Sequence, residues 1–466
     1  MLKEQDPMIE LVRKWIMSHV GDSAELRKSV LEVFRFMSEL ISEHVHSPDC
    51  SRLREFLPKS TKLFLPLDLT RAALDYDTKT HFLARKRVPP TFREVRHILN
   101  LATTNAIAEK LKLVTFDADD TIYEDGGSIS KSSEMVQIVV ELLRRGIVVS
   151  LVTAAGYPGN PARYEQRLGG ILDALAELKS EERARFLVMG GECNYLFETY
   201  THKTSRVVGL REIDGAVWKD GRGERWSEDE VTALLDTAET VLKDMVKALH
   251  LSTRILRKER AIGIINTSDK RIRYENLEEI SLTLQDELRH FRVPFCAFNG
   301  GNDVWVDIGH KALGIQALQK YVFRFLPNEL RNSDELRYIQ GQECLHVGDR
   351  FTITGNDTRS RDAATTIWIS NPQETVHIMT ILLRTIDLAR KQKEAREEKE
   401  KKKKGRAKAL ATTTVATALR DGNSDIRLDG LGTNGVSDGE SSGSNDEREI
   451  TVKAAIQAAT TASLAK

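Results

Sequence analysis

The stretch Leu113-Val114-Thr115-Phe116-Asp117-Ala118-Asp119-Asp120-Thr121 decides how this chain is read. An apolar, β-prone run stops at two carboxylates spaced i, i+2, and a threonine follows. A strand ending this way places two anions where open α/β sheets bind ligands, at the carboxyl ends of their strands. Two like charges so close are costly unless a counter-ion joins them. A hard cation such as Mg2+, held by a few carboxylates together with substrate phosphate, removes that cost. The pattern therefore points to phosphoryl chemistry with an aspartate nucleophile. A surface turn after a strand would use the same residue types, so the rest of the chain must decide.

Three later segments repeat the logic. Val148–Thr153 is a second β-like run ending in a hydroxyl, followed by Ala154-Ala155-Gly156. Val304–Asp307 leads through Gly309 and His310 to Lys311 and Gly314. Cys344–Gly348 runs into Asp349-Arg350 and on to Gly355-Asn356-Asp357. Each puts a hydroxyl, an amine or a carboxylate at a strand end or a helix start.

In this order the four segments resemble the motifs of the haloacid-dehalogenase superfamily of phosphatases, over residues 106 to 375. The runs FDADDTIYEDGG from Phe116, VTAAGY from Val152, FNGGNDVWVD from Phe298 and GDRFTITGND from Gly348 are similar to blocks of the fungal and protozoan IMP-specific 5'-nucleotidases. The resemblance implies a Rossmannoid α/β core with an inserted α/β cap. It also implies hydrolysis of IMP to inosine and phosphate, a homotetramer, and activation by ATP bound to a helical N-terminal domain.

Composition narrows the alternatives. At 466 residues the chain can bury a large core and hold more than one domain. Sixty-nine basic residues balance 69 acidic ones, which argues against a general nucleic-acid binder with its basic face. Cys50, Cys193, Cys296 and Cys344 are far apart with no C-x-x-C pair, so neither a zinc knuckle nor a disulfide framework is expected. No apolar run is long enough to span a membrane, and the N-terminus lacks a signal peptide's apolar stretch. A cytoplasmic protein is expected.

Residues 1–105 read as helices with apolar faces, Ile9 to Ile16 and Val30 to Leu40, with Asp22-Ser23 as a cap between them and Pro58, Pro66 and Pro89-Pro90 forcing loops. This is the expected regulatory and oligomerisation domain. The catalytic core is expected over 106–390, with the cap inserted at about 162–298. Lys391 to Lys408 is charge-dense and suited to extend the last helix through Glu–Lys pairs. From 410 to 466 large apolar groups are few, and a disordered tail is expected.

The resemblance also implies roles. Asp117 is the nucleophile; Asp119 protonates the leaving oxygen and then activates water, and its backbone carbonyl is a metal ligand. Mg2+ would sit among Asp117, the Asp119 carbonyl and Asp349, oxygen donors that favour it over zinc. Asp349 directly follows an apolar strand and is the better ligand. Asp357 either holds a neighbouring group or caps the next helix. Thr153 and Lys311 meet the phosphate, Lys311 supplying charge to the transition state. Asp120 alternates away and is structural. Asp125 and Asp303 are implied to contact the nucleotide, Tyr157 or Trp305 is suited to stack on a purine, and Arg163 is a further candidate. No P-loop is present in residues 1–105; Lys79 and His97 are the candidate effector residues. Two rival readings stand at this stage: a phosphatase for another mononucleotide such as nicotinamide mononucleotide, and a non-catalytic nucleotide sensor.

Overall fold

The computed structural model describes residues 5–18, 26–202, 207–219, 226–325 and 338–420. The N-terminal region is helical: α1 (Pro7–Ser18), α2 (Leu26–His46), α3 (Arg52–Phe56), α4 (Leu69–Thr80) and α5 (Phe92–Ile107). Its apolar faces close on one another, with Ile9, Val12, Ile16, Phe34, Met37 and Leu40 buried. The prolines fall in the connections, and Thr91 with Glu94 forms a capping box that starts α5 directly after Pro89-Pro90. Asp22-Ser23 lies outside the described residues. The same apolar cluster takes in Phe351 and Trp368 from the far end of the chain, so the helices share a core with the catalytic sheet.

That sheet has seven strands in the order β11-β10-β1-β2-β3-β4-β5. They are β1 (Leu113–Phe116), β2 (Val148–Val152), β3 (Phe186–Gly190), β4 (Tyr195–Thr201), β5 (Val208–Ile213), β10 (Cys344–Gly348) and β11 (Thr365–Trp368). β11 through β3 run parallel, and β4 and β5 return antiparallel. The crossover α6 (Glu134–Arg144) joins β1 to β2, and α7 (Ala162–Leu175) with the short α8 (Ser180–Arg183) leads to β3. After β1 the chain winds first toward β2 and later toward β10. Such a reversal of winding opens a crevice at the strand ends.

A second sheet, β6-β7-β9-β8, is antiparallel. It comprises β6 (Thr253–Arg257), β7 (Ala261–Asn266), β8 (Phe295–Asn299) and β9 (Asp303–Ile308). The helices α10 (Glu228–Ala248) and α11 (Tyr274–Glu287) cover one face; α9 (Gly215–Trp218) precedes them. These limits correct the insertion expected at 162–298. Phe186–Gly190 pairs with β2 in the catalytic sheet. At the other end, Asn299-Gly300-Gly301-Asn302 is the turn of a hairpin within the second sheet, Asn299 opposite Val304. The core resumes only with α12 (Lys311–Tyr321).

The last helix, α13, runs Pro372–Arg420. Ile378, Met379, Leu382 and Ile386 pack on the catalytic core. The charge-dense run is helical, as its Glu–Lys spacing suggested, and Glu398 pairs with Lys402 at 2.6 Å. Residues 410–420, expected in a disordered tail, are helical too. Residues 421–466 lie outside the described ones. Among the described residues no helix is long and apolar enough to cross a membrane.

Candidate active site

Register brings the motif ends level. Phe116 of β1 lies opposite Val347 of β10 and Leu151 of β2, and the Asp117 N–H donates to Val347 O at 2.9 Å. Asp117, Asp349 and Thr153 therefore emerge together where three parallel strands end. Asp117 is buried, and its Oδ1 accepts the Ala118 N–H at 2.8 Å. Lys311, first residue of α12 and wholly buried, reaches Asp117 Oδ1 at 2.9 Å and Asp357 Oδ1 at 2.6 Å.

Asp357 is the most tightly held of these carboxylates. Besides Lys311 it contacts His346 Nε2 at 2.8 Å and accepts the Arg350 N–H at 2.9 Å. Its side chain makes no bond to the following helical turn, so it grips Lys311 rather than capping. Asp349 contrasts with it. Its Oδ1 is buried without a hydrogen-bond partner among the described residues, and Arg350 Nε stands 3.5 Å from its Oδ2. Oxygens of Asp117, Asp349 and Asp357 all lie within 4.8 Å of one another.

The electrostatics follow from burial against that pairing. Burial pushes the Asp117 carboxyl up to about 7, against the pull of Lys311. Asp349 is driven well above the usual carboxylate range by burial, Arg350 opposing. Burial acts on Asp357 too, but Lys311 and His346 outweigh it and hold that carboxyl below its ordinary range. Lys311 loses hydration, yet Asp117 and Asp357 keep it more basic than a free lysine. Lys311 and Arg350 lie against these carboxylates, and the upward shifts at Asp117 and Asp349 ease their mutual repulsion.

A cavity of about 210 Å3 opens over Asp117 and is lined also by Asp119, Asp125, Thr153, Asp303 and Trp305 among others. Asp119 Oδ1 accepts from Arg167 and from the Gly126 N–H, each at 2.9 Å. Period-two alternation explains the ceiling: Val304, Val306 and Ile308 of β9 face α10 and α11, which turns Asp303, Trp305 and Asp307 to the cavity. Trp305 Nε1 donates to Asp303 Oδ2 at 3.0 Å. Tyr157 lines the same cavity, and Lys258 Nζ lies 5.6 Å from its ring and 4.6 Å from the Trp305 ring. Arg163 stands 5.3 Å over Tyr157. A larger neighbouring cavity, about 730 Å3, is lined by Arg93, Arg96, Arg271, Tyr274 and Asp349; Asp125 and Arg350 line both.

A family model for IMP-specific 5'-nucleotidase matches residues 10–379. The IMP-specific 5'-nucleotidase 1 of Yarrowia lipolytica is 38% identical over 384 residues, 79% of this chain and 87% of that protein. An N-terminally truncated, IMP-bound Plasmodium falciparum IMP-nucleotidase superposes with a TM-score of 0.72 at 32% identity, covering 82% of this chain and 96% of that one. The ATP-bound form of the Plasmodium falciparum enzyme gives 0.68 at 33% identity, covering 82% and 86%.

This chain belongs to the IMP-specific 5'-nucleotidase family. Within this nucleotidase-family chain, seven of the motif residues read from sequence converge: Asp117, Asp119, Asp125, Thr153, Asp303, Lys311 and Asp349. Asp120 sits at φ 55° and binds the Asp125 N–H at 3.1 Å. Lys79 and His97 stand elsewhere, on α4 and α5. His97 Nε2 is 2.7 Å from Glu374 Oε1, and its ring stacks on Tyr76 with centroids 6.0 Å apart. Lys79 is exposed; burial lowers the His377 pKa, and the electrostatic influence of Lys79 acts in the same direction. Sequence reading gave no role to Arg167, Arg350, Lys258, His346 or Glu192. For Arg350 a signal existed, its place directly after the motif aspartate.

Proposed function

We propose that this nucleotidase-family chain hydrolyses IMP to inosine and phosphate through an aspartyl-phosphate, in the cytoplasm, as a homotetramer activated by ATP. The observation that carries the chemistry is the juxtaposition of Asp117 with Lys311, 2.9 Å apart, where Asp117 lines a cavity with Asp119 and Thr153 and has Asp349 beside it. An Asp117 oxygen attacks phosphorus; the bond from phosphorus to the ribose oxygen breaks, and that oxygen takes a proton from Asp119. Water then attacks phosphorus, Asp119 accepts the water's proton, and the acyl-phosphate bond breaks to regenerate the Asp117 carboxylate. Both hydrogen bonds to Asp119 fall on Oδ1, so Oδ2 is the oxygen that carries the proton. The Thr153 hydroxyl and the Lys311 ammonium balance charge on the transferring phosphoryl group.

The residues present fit Mg2+. Asp117, Asp349 and the Asp119 carbonyl would hold it, since the Asp349 Oδ1 lacks a partner while both oxygens of Asp357 are engaged. When bound, the ion neutralises phosphate charge and orients the phosphoryl group. Asp125 and Asp303 select the nucleotide from the cavity rim, and Tyr157 or Trp305 offers a stacking face. The ATP-bound relative supports a second nucleotide site, which we assign to Lys79 and His97. Phosphate release from a panel of nucleoside monophosphates, nicotinamide mononucleotide included, with Mg2+ and with or without ATP, tests the whole reading. Preference for IMP enhanced by ATP is expected; equal rates across the panel would overturn the substrate.

A further inference from the structure

Glu192 lies in the turn between β3 and β4, far in sequence from every motif. It is wholly buried and adopts φ 62°. A non-glycine residue in the left-handed region costs free energy and persists where surrounding contacts over-determine it. The contacts are specific. The Glu192 N–H donates to Thr153 O at 2.9 Å, and the adjacent Gly191 N–H to Ala155 O at 3.1 Å. Glu192 Oε1 accepts from Asn356 Nδ2 at 3.0 Å, beside the Asp357 that grips Lys311. The Glu192 carbonyl abuts the first turn of α12, where a Cβ on Gly314 would lie 2.3 Å from that oxygen. One residue thus touches the Thr153 loop, the segment carrying Asp357 and the helix that presents Lys311.

We propose that Glu192 is a positioning residue that holds Thr153, Asn356–Asp357 and the N-terminus of α12 in register for phosphoryl transfer. Its role is that of a hydrogen-bonding strut rather than an anion. Burial raises its carboxyl far above the ordinary range, against the pull of Lys311. A neutral side chain leaves the Lys311 charge to Asp117 and Asp357. Glu192 Oε2 and Asn356 Oδ1 are both buried without partners among the described residues; a proton or a water bridging such acceptors satisfies them.

The inference rests on the phosphatase reading, and three variants assayed with IMP and Mg2+ separate the two. Glu192→Gln keeps the acceptor for Asn356 and retains kcat to within about fivefold. Glu192→Ala loses the strut, and small misplacements of reacting groups cost about 100-fold in kcat. Its KM for IMP stays within about threefold. Orthovanadate, which mimics the five-coordinate phosphorus, inhibits about tenfold less or weaker still, because transition-state analogues report such contacts most strongly. A residue of only structural value would lower the folded fraction and leave the vanadate-to-IMP ratio unchanged. If Glu192→Ala does not fold, Glu192→Asp, which withdraws the carboxyl by one methylene, must show the same split. Folded Glu192→Ala with wild-type kcat and vanadate inhibition overturns the proposal, as does Glu192→Gln as impaired as Glu192→Ala. Wild-type protein that leaves IMP intact sinks instead the function on which it rests.

Discussion

Asp117 and Lys311 form the contact on which the proposed chemistry depends, and each fails differently when replaced. Asn at position 117 keeps the shape and the Ala118 N–H bond but cannot attack phosphorus. Losing a nucleophile costs about 10^4-fold or more in kcat, whereas IMP binding, measured calorimetrically, should persist. Appreciable turnover by Asp117→Asn would rule out the covalent route. Lys311→Met removes the cation from between Asp117 and Asp357, 2.9 and 2.6 Å away. Breaking a buried pair leaves uncompensated charge, at a cost of about 3–5 kcal/mol. This variant should lose kcat by about 100-fold or more and also unfold at lower denaturant. Stability unchanged from wild type would mean that the two carboxylates are neutral without Lys311. These motif residues were legible in the chain because each sits one step beyond an apolar strand: Asp117 after Phe116, Asp349 after Gly348, Thr153 after Val152. Arg167 and Glu192 were not, since their partners lie 48 and 164 residues away and only the fold joins them.

Among the elements, α5 and β11 show how the helical region is fastened to the catalytic sheet. Asn100 of α5 donates to Trp368 O at 2.7 Å, and Trp368 Nε1 donates to Asp349 O at 2.8 Å. Beside them Glu374, at the start of α13, accepts from Arg96 at 2.8 Å and meets His97 at 2.7 Å. Burial pushes the Glu374 carboxyl up, but His97 and Arg96 outweigh it and hold it at about 2. A carboxyl depressed on folding contributes stability that is present above its unfolded pKa and lost as pH falls toward the folded one. The window here runs from 4.5 down to about 2, worth about 3 kcal/mol in full. Glu374→Gln should therefore be less stable than wild type at pH 7 in urea titrations, and the gap should narrow as pH drops below 4.5. A gap constant from pH 7 to pH 3 would show that packing, not charge, sets the difference. Helix existence and type followed from periodicity, as with the faces Ile9 to Ile16 and Val30 to Leu40, which lie within α1 and α2. The cap limits did not, because the Gly300-Gly301 turn belongs to a hairpin whose two strands are 303–308 and 295–299. A glycine-rich turn between two apolar runs looks the same whether it closes a hairpin or crosses between sheets.

For the molecule as a whole, the protonation of the site becomes a statement about global stability. Asp117, Asp349 and Asp357 converge within 4.8 Å of one another, and burial on folding raises the Asp117 and Asp349 carboxyls toward their neutral forms, so a cation that binds their ionised forms competes with protons. A cation that binds only the folded state stabilises it by about 2.7 kcal/mol when present at a hundredfold excess over its Kd. Mg2+ should accordingly raise the unfolding temperature of the wild-type protein, and its removal with a chelator should reverse the rise. The two aspartates of the fourth motif separate in this measurement. Asp349 presents a buried oxygen without a partner among the described residues, so Asp349→Asn should abolish most of the Mg2+-dependent shift while changing stability little in its absence, where burial already favours the neutral carboxyl. Asp357 has both oxygens committed to Lys311, His346 and the Arg350 N–H, so Asp357→Asn should lower the unfolding temperature with or without Mg2+ and leave a shift behind. The reverse pattern, with Asp357→Asn indifferent to Mg2+ and Asp349→Asn still responsive, would exchange the two roles and make Asp357 the ligand that the geometry argues it is not.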